Sequence, residues 1–158
     1  MVLFSVTACS SDEAGYDLPA ALCGINVPRS VLKPALPSGQ NLTQHPQSTG
    51  TTKRCRIHVD GRSVLSASVE RWEGDTTPEQ VAQAALSVDP SDTKTRDGLY
   101  IYSSTGAVGK VNCPVAEARQ ESTWASVRVS RPDSDADDIL KLVKAYAKAV
   151  GESSDCAR

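Results

Sequence analysis

The residues able to do chemistry are few, and their spacing excludes most of it. His45 and His58 are the only histidines in the 158 residues. A nucleophilic couple needs a base beside an activated hydroxyl. Ser63 and Ser66 follow His58 in sequence, but strand periodicity turns them to solvent, and the strand-turn-helix elbow G-x-S-x-G is absent. A zinc module needs Cys or His at close ligand spacing, and the five cysteines are too far apart for one. Gly106-Ala107-Val108-Gly109-Lys110 superficially resembles a phosphate loop. Its spacing is wrong, and Val111 stands where Ser or Thr is required. No catalytic residue, metal or cofactor is expected. The competing reading is a hydrolase or transferase acting on envelope material, using His58 with a neighbouring Ser or Asp.

Two surface features remain. Arg54, Arg56 and His58 share the polar phase of one strand, with Lys53, Arg62 and Arg71 nearby, a set that could meet an anionic polymer or an acidic partner. Trp72, Tyr100, Tyr102 and Trp124 all fall on the phase opposite the Leu/Val/Ala positions of their strands. They form either an aromatic platform for a ligand or a second core layer covered by the first helix or by residues 34–52. A net charge of -2 gives no global attraction to nucleic acid or an anionic bilayer.

Aromatic residues make up only 4% of the chain, so the core must come from Val, Leu, Ile and Ala, and covalent help would be useful. Cys9, Cys23, Cys55, Cys113 and Cys156 are odd in number. Val6-Thr7-Ala8-Cys9 resembles the lipobox at which bacterial lipoproteins are cut and acylated. Assigning Cys9 to lipid leaves four cysteines, enough for two disulfides in an oxidising compartment. Of three possible pairings, Cys23–Cys55 and Cys113–Cys156 are favoured, because each joins a terminal segment to a nearby strand. Each would close a loop of roughly 30–45 residues, worth about 4 kcal/mol in chain entropy. Residues 1–8 lack Lys and Arg and read as the remnant of a truncated signal peptide. Residues 9–21 read as a lipid-anchored flexible tether, and 22–158 as a single domain.

The elements that would position these residues follow in order. A short helix spans 27–33 with Pro28 in its first turn, and a weakly structured loop spans 34–52. The strand carrying Cys55 and Ile57 is expected to join that of Leu65, Ala67 and Val69 through a three-residue loop, Val59-Asp60-Gly61, pairing Cys55 with Leu65. Thr77-Pro78-Glu79-Gln80 starts a helix by a capping box, with Val81, Ala84, Ala85 and Val88 inward. A second hairpin aligns Ile101 with Gly109. After a strand over 123–130, a helix capped by Ser134 buries Ile139, Leu140, Val143, Ala147 and Val150 and stops at Gly151. The order α-β-β-α-β-β-β-α is that of an α+β domain, an antiparallel sheet of about five strands with helices packed on it.

The lipobox, Leu22-Cys23-Gly24, Lys53-Arg54-Cys55-Arg56, Val111-Asn112-Cys113-Pro114 and the cysteine after the last helix together resemble the small actinobacterial, Streptomyces-type secreted lipoproteins of unknown function. That resemblance implies a PsbP-like α/β/α sandwich with helices on both faces of the sheet, and it brings no catalytic residues. The expectation is a non-enzymatic, monomeric domain displayed on the outer face of the cell membrane through lipid on Cys9. Its partner would be an envelope protein or ligand and not nucleic acid.

Overall fold

In the run Arg54-Cys55-Arg56-Ile57-His58-Val59, every second residue is apolar, and the structure buries Cys55, Ile57 and Val59 on one face of a strand. The computed structural model describes residues 14–131 and 133–156; Cys9, the expected leader 1–8 and residues 10–13 lie outside it. A two-stranded ribbon, β1 (Ala21–Leu22) and β2 (Ile25–Asn26), leads into α1 (Arg29–Leu32) and a 3-10 turn at Lys33–Ala35. The chain then runs β3 (Leu42–Thr49), β4 (Thr52–Val59), β5 (Arg62–Glu73) and α2 (Pro78–Ala84). It continues through β6 (Thr93–Lys94), β7 (Tyr100–Tyr102), β8 (Gly106–Val111), α3 (Pro114–Ala118), β9 (Glu121–Val129) and α4 (Ala136–Gly151). The main sheet is antiparallel throughout, in the order β3-β4-β5-β9-β8-β7-β6.

The α+β class therefore stands, with seven strands in the main sheet in place of about five and an element order richer than expected. All eight expected elements are present; the additions are the ribbon, the 3-10 turn, β3, β6 and α3. Residues 42–49, expected as loop, are an edge strand whose Pro46 lies opposite Cys55. Proline lacks the N–H a central ladder needs and is tolerated at an edge. Mostly exposed on both faces, β3 has no hydrophobic alternation to betray it.

The β4–β5 register corrects another expectation. The turn holds two residues, Asp60 (φ 50) and Gly61 (φ 78), both left-handed, as a type I′ turn requires. Such a turn alone would put Leu65, Ala67 and Val69 on the charged face. A bulge at Val64 restores the phase: His58 pairs with Ser63, but Ile57 pairs with Leu65 and Cys55 with Ala67. An extra residue on one strand is how a ladder changes phase without lengthening its turn.

α4 packs on one face of the sheet against β7, β8 and β9. Leu142 and Tyr146 join its buried stripe, and Leu140 is only half-buried, so the helix is rotated slightly from the expected face. Its N-cap is Asp135, whose carboxylate accepts the N–H groups of Asp137 and Asp138; Ser134 instead donates its hydroxyl to the Arg131 carbonyl. Gly151 belongs to the helix, where a Cβ would sit 2.7 Å from the Asn112 carbonyl. α2 lies on the opposite face, starting at the Thr77–Gln80 capping box. Val81, Ala82 and Val88 pack there with Ile101, Val108 and Trp124, whereas Ala84 is exposed.

Disulfides join Cys23 to Cys55 and Cys113 to Cys156, the two pairings favoured from the sequence. The first holds the ribbon to β4; the second clamps the tail after α4 to the end of β8. Residues 14–21, expected within the flexible tether, are held against the domain. Gly15 donates its N–H to the Gly39 carbonyl, Tyr16 its hydroxyl to that of Pro37, and Leu18 packs on the core.

Candidate functional site

α2 covers only the β7–β8 side of its face, with Trp124 of β9 beneath it. The same face of β3, β4 and β5 is left open, and along the boundary runs a groove of about 370 Å³. Cross-strand register orders its floor into rows. Arg56 of β4 pairs with Ser66 of β5, which pairs with Arg128 of β9. One step along, Arg54 pairs with Ser68 and Ser68 with Ser126. A further step gives Thr52, Glu70 and Trp124. Exposed Leu86, after α2, stands at the rim with Ala84 and Ala85.

The charge in the groove is unbalanced. Among the described residues, no ion pair joins a carboxylate to Arg54, Arg56 or Arg128. Arg54 donates Nε–H to the Ser68 hydroxyl at 3.2 Å. Glu70 at the far end accepts the Trp72 indole N–H at 3.0 Å. His58 also lines the groove, and its ring centroid lies 4.4 Å from that of His45 on β3. The His45 Nε2 is 2.9 Å from the Thr43 hydroxyl. Among the described residues, no hydrogen bond joins His58 to a serine or an aspartate.

The other basic residues separate from this set. Lys53 has the opposite phase and pairs with Asp155 beyond α4. Arg71 lies opposite Thr123 on the α4 side, and Arg62 opposite Val59 at the turn.

The four aromatic residues do not form a platform. Trp124 is buried under α2 and donates its indole N–H to Ser122, whose hydroxyl reaches the Glu73 carbonyl. Trp72 is half-buried on the same face. Tyr100 and Tyr102 lie on the opposite face, packed on the α4 core. The cover over the tryptophans is α2, and neither the first helix nor residues 34–52 supply it. The cause is register: Tyr100 pairs with Gly109 and Ile101 with Val108, one position from the expected alignment. A Cβ on residue 109 would lie 2.2 Å from the Tyr100 ring, so glycine is what lets the ring lie across β8. Burial, with the Asp97 carboxylate adding to it, raises the Tyr100 phenol above its ordinary pKa, and the Lys144 ammonium lies 5.5 Å from the ring centroid.

Arg54, Arg56 and His58 are thus brought together as the sequence suggested, and the structure adds Arg128, Ser68, Ser126 and Glu70. Arg128 and Ser126 carried a signal in the outward phase of their strand. What sequence could not supply was the adjacency of β9 to β5 across the intervening residues 74–120. The arrangement can hold an anion: guanidinium groups stand on both sides of a hydroxyl floor.

Compared with protein-family models, with curated proteins and with solved structures, the chain matches none of them.

Among the described residues no group of three or more His, Cys, Asp and Glu could hold a metal, and no helix is long and apolar enough to cross a membrane.

Proposed function

We propose that this protein is a non-enzymatic, monomeric binding domain of the cell envelope. Lipid on Cys9 anchors it to the outer face of the membrane, and its β4–β5–β9 groove takes an anionic ligand or partner other than nucleic acid. The observation that carries the binding reading is the trio Arg54, Arg56 and Arg128 over a serine floor, with no carboxylate paired to any of them among the described residues. Retaining uncompensated cations along a groove is costly in self-repulsion and is offset when an anion binds. The His58 ring lies tilted against that of His45 and, among the described residues, makes no bond to a hydroxyl, which favours binding over hydrolysis. The two disulfides support an oxidising compartment. Helices on both faces of the sheet favour the PsbP-like α/β/α sandwich implied by the resemblance to actinobacterial lipoproteins.

The test uses the protein's net charge of -2. A negatively charged chromatography surface should repel the molecule unless a local patch engages it. Wild type should be retained at low salt, and Arg56→Gln/Arg128→Gln should flow through. Arg96→Gln/Arg119→Gln, equal in charge and exposed elsewhere, should be retained. Identical elution of the two variants would remove the groove from the account.

A further inference from the structure

Resting on the binding reading above, we infer that the groove is a site for a phosphate ester. The argument is the direction from which donors arrive. Arg56 and Arg128 sit on the strands flanking β5, so their backbones are roughly 10 Å apart, two strand spacings, and both line the cavity above Ser66. Ser66, Ser68 and Ser126 supply hydroxyls from below. Because Arg54 already donates to the Ser68 oxygen, the hydroxyl hydrogen of Ser68 points elsewhere and can serve an acceptor.

A carboxylate has two oxygens in one plane, and a single guanidinium fork engages both of them edge-on. A phosphoryl group has its oxygens set tetrahedrally. Two forks can grip it from opposite sides while another oxygen meets the floor. The groove offers this three-sided set, which a carboxylate would leave partly unused. Glu70 fixes the position along the groove: its negative charge repels an anion at the Glu70–Trp124 row and leaves the Arg56–Ser66–Arg128 row as the seat. The rim fixes the kind of ester. Leu86, 67% exposed, with Ala84 and Ala85, lies beside the cavity, and an apolar lip next to a charged seat suits the organic substituent. At about 370 Å³ the cavity holds a phosphoryl group with a short substituent.

The experiment titrates the intact, disulfide-bonded protein at pH 8 with phenyl phosphate and with isophthalate, both dianions carrying one aromatic ring. Phenyl phosphate should bind at least about tenfold more tightly, since one additional charge-assisted hydrogen bond is worth about that factor. Arg56→Gln and Arg128→Gln should each weaken phenyl phosphate by about tenfold or more. Ser66→Ala should narrow the preference over isophthalate. Amide shifts of Ser66 and Ser126 in wild type on adding phenyl phosphate locate the site without any variant. Competition by phosphatidylglycerol vesicles would assign the ester to a lipid headgroup, and competition by soluble glycerol phosphate to a free or polymeric ester; either supports the inference. Equal affinity for the two dianions, with both lost in the arginine variants, overturns the phosphate assignment and leaves the anion-binding reading intact. Binding of neither, or shifts confined to other residues, overturns both.

Discussion

Replacing Gly109 with alanine tests the β7–β8 register, which decides which aromatic residues face the groove side. The new Cβ would lie 2.2 and 2.3 Å from two carbons of the Tyr100 ring. Ordinary carbon contacts are about 3.5 Å, so ring or strand must give by roughly 1.3 Å. Neither yields easily. β8 is paired on both sides, and the ring is packed on the α4 core. Overpacking of this kind costs 1–3 kcal/mol, and about 2 kcal/mol is expected here. Tyr100→Ala alone should cost about 1–2 kcal/mol for the lost burial. In the double variant the methyl group enters vacated space, so Gly109→Ala should add almost nothing. The cycle should give a coupling energy of about 2 kcal/mol. Urea unfolding of the disulfide-intact protein, extrapolated linearly, resolves that difference. Single costs that simply add within about 0.5 kcal/mol would refute the pairing of Tyr100 with Gly109. Rescue by Ile101→Ala instead would show the register one position over.

Serine at both Cys113 and Cys156 should lower stability by up to about 4 kcal/mol, for a crosslink spanning 43 residues. Calorimetry should then show a Tm about 8–16 °C lower, and an unchanged Tm would contradict the clamp assigned to the tail. Deleting Val64 should leave the fold intact, because Leu65 then follows Ser63 directly and still meets Ile57. Native near-ultraviolet dichroism with a loss of about 1–2 kcal/mol is expected, and an unfolded deletion would rule out the bulge. Tyr146 is buried, and burial first and the Asp155 carboxylate second push its phenol well above the ordinary value. The native state therefore holds a proton that the unfolded chain loses, so this contribution is full below about pH 10 and falls as pH rises beyond it. Tyr146→Phe should flatten that alkaline loss in denaturant titrations, and an unchanged slope would count against the burial.

The parts of the fold legible in the sequence are those where one physical signal acted alone. Thr77-Pro78-Glu79-Gln80 satisfies backbone donors locally, and α2 begins there. Period-2 alternation in β5 and β9 names the residues that face the α4 core, Leu65, Ala67, Val69, Ala125, Val127 and Val129, though not Trp124, which α2 buries on the other face. Reading failed where two signals had to be combined. Asp60-Gly61 favours a two-residue turn while Leu65, Ala67 and Val69 demand the opposite phase, and only a bulge satisfies both. At Tyr100-Ile101-Tyr102 both phases are apolar, so alternation cannot choose, and the contact with Gly109 decides. β3 is polar on both faces and needs β4 to exist at all. The groove was half legible for the same reason: Arg54 and Arg56 share one strand, while Arg128 reaches them only through tertiary pairing.

The docking of residues 14–18 fixes where the leading chain leaves the domain. Gly15 is fastened to Gly39, whose Cβ position abuts Val59 and Asp60, so the leading chain leaves beside the β4–β5 turn. From Cys9 to Gly15 the chain extends at most about 20 Å. If Cys9 carries lipid, as proposed, the domain would be moored at one corner and its orientation would no longer be random. On that proposal the turn end of the sheet would lie bilayer-proximal, with the His58 and Arg56 rows next to it. On the same proposal, height above the membrane would set what the groove meets first: the headgroup layer and whatever lies within a domain's width of it.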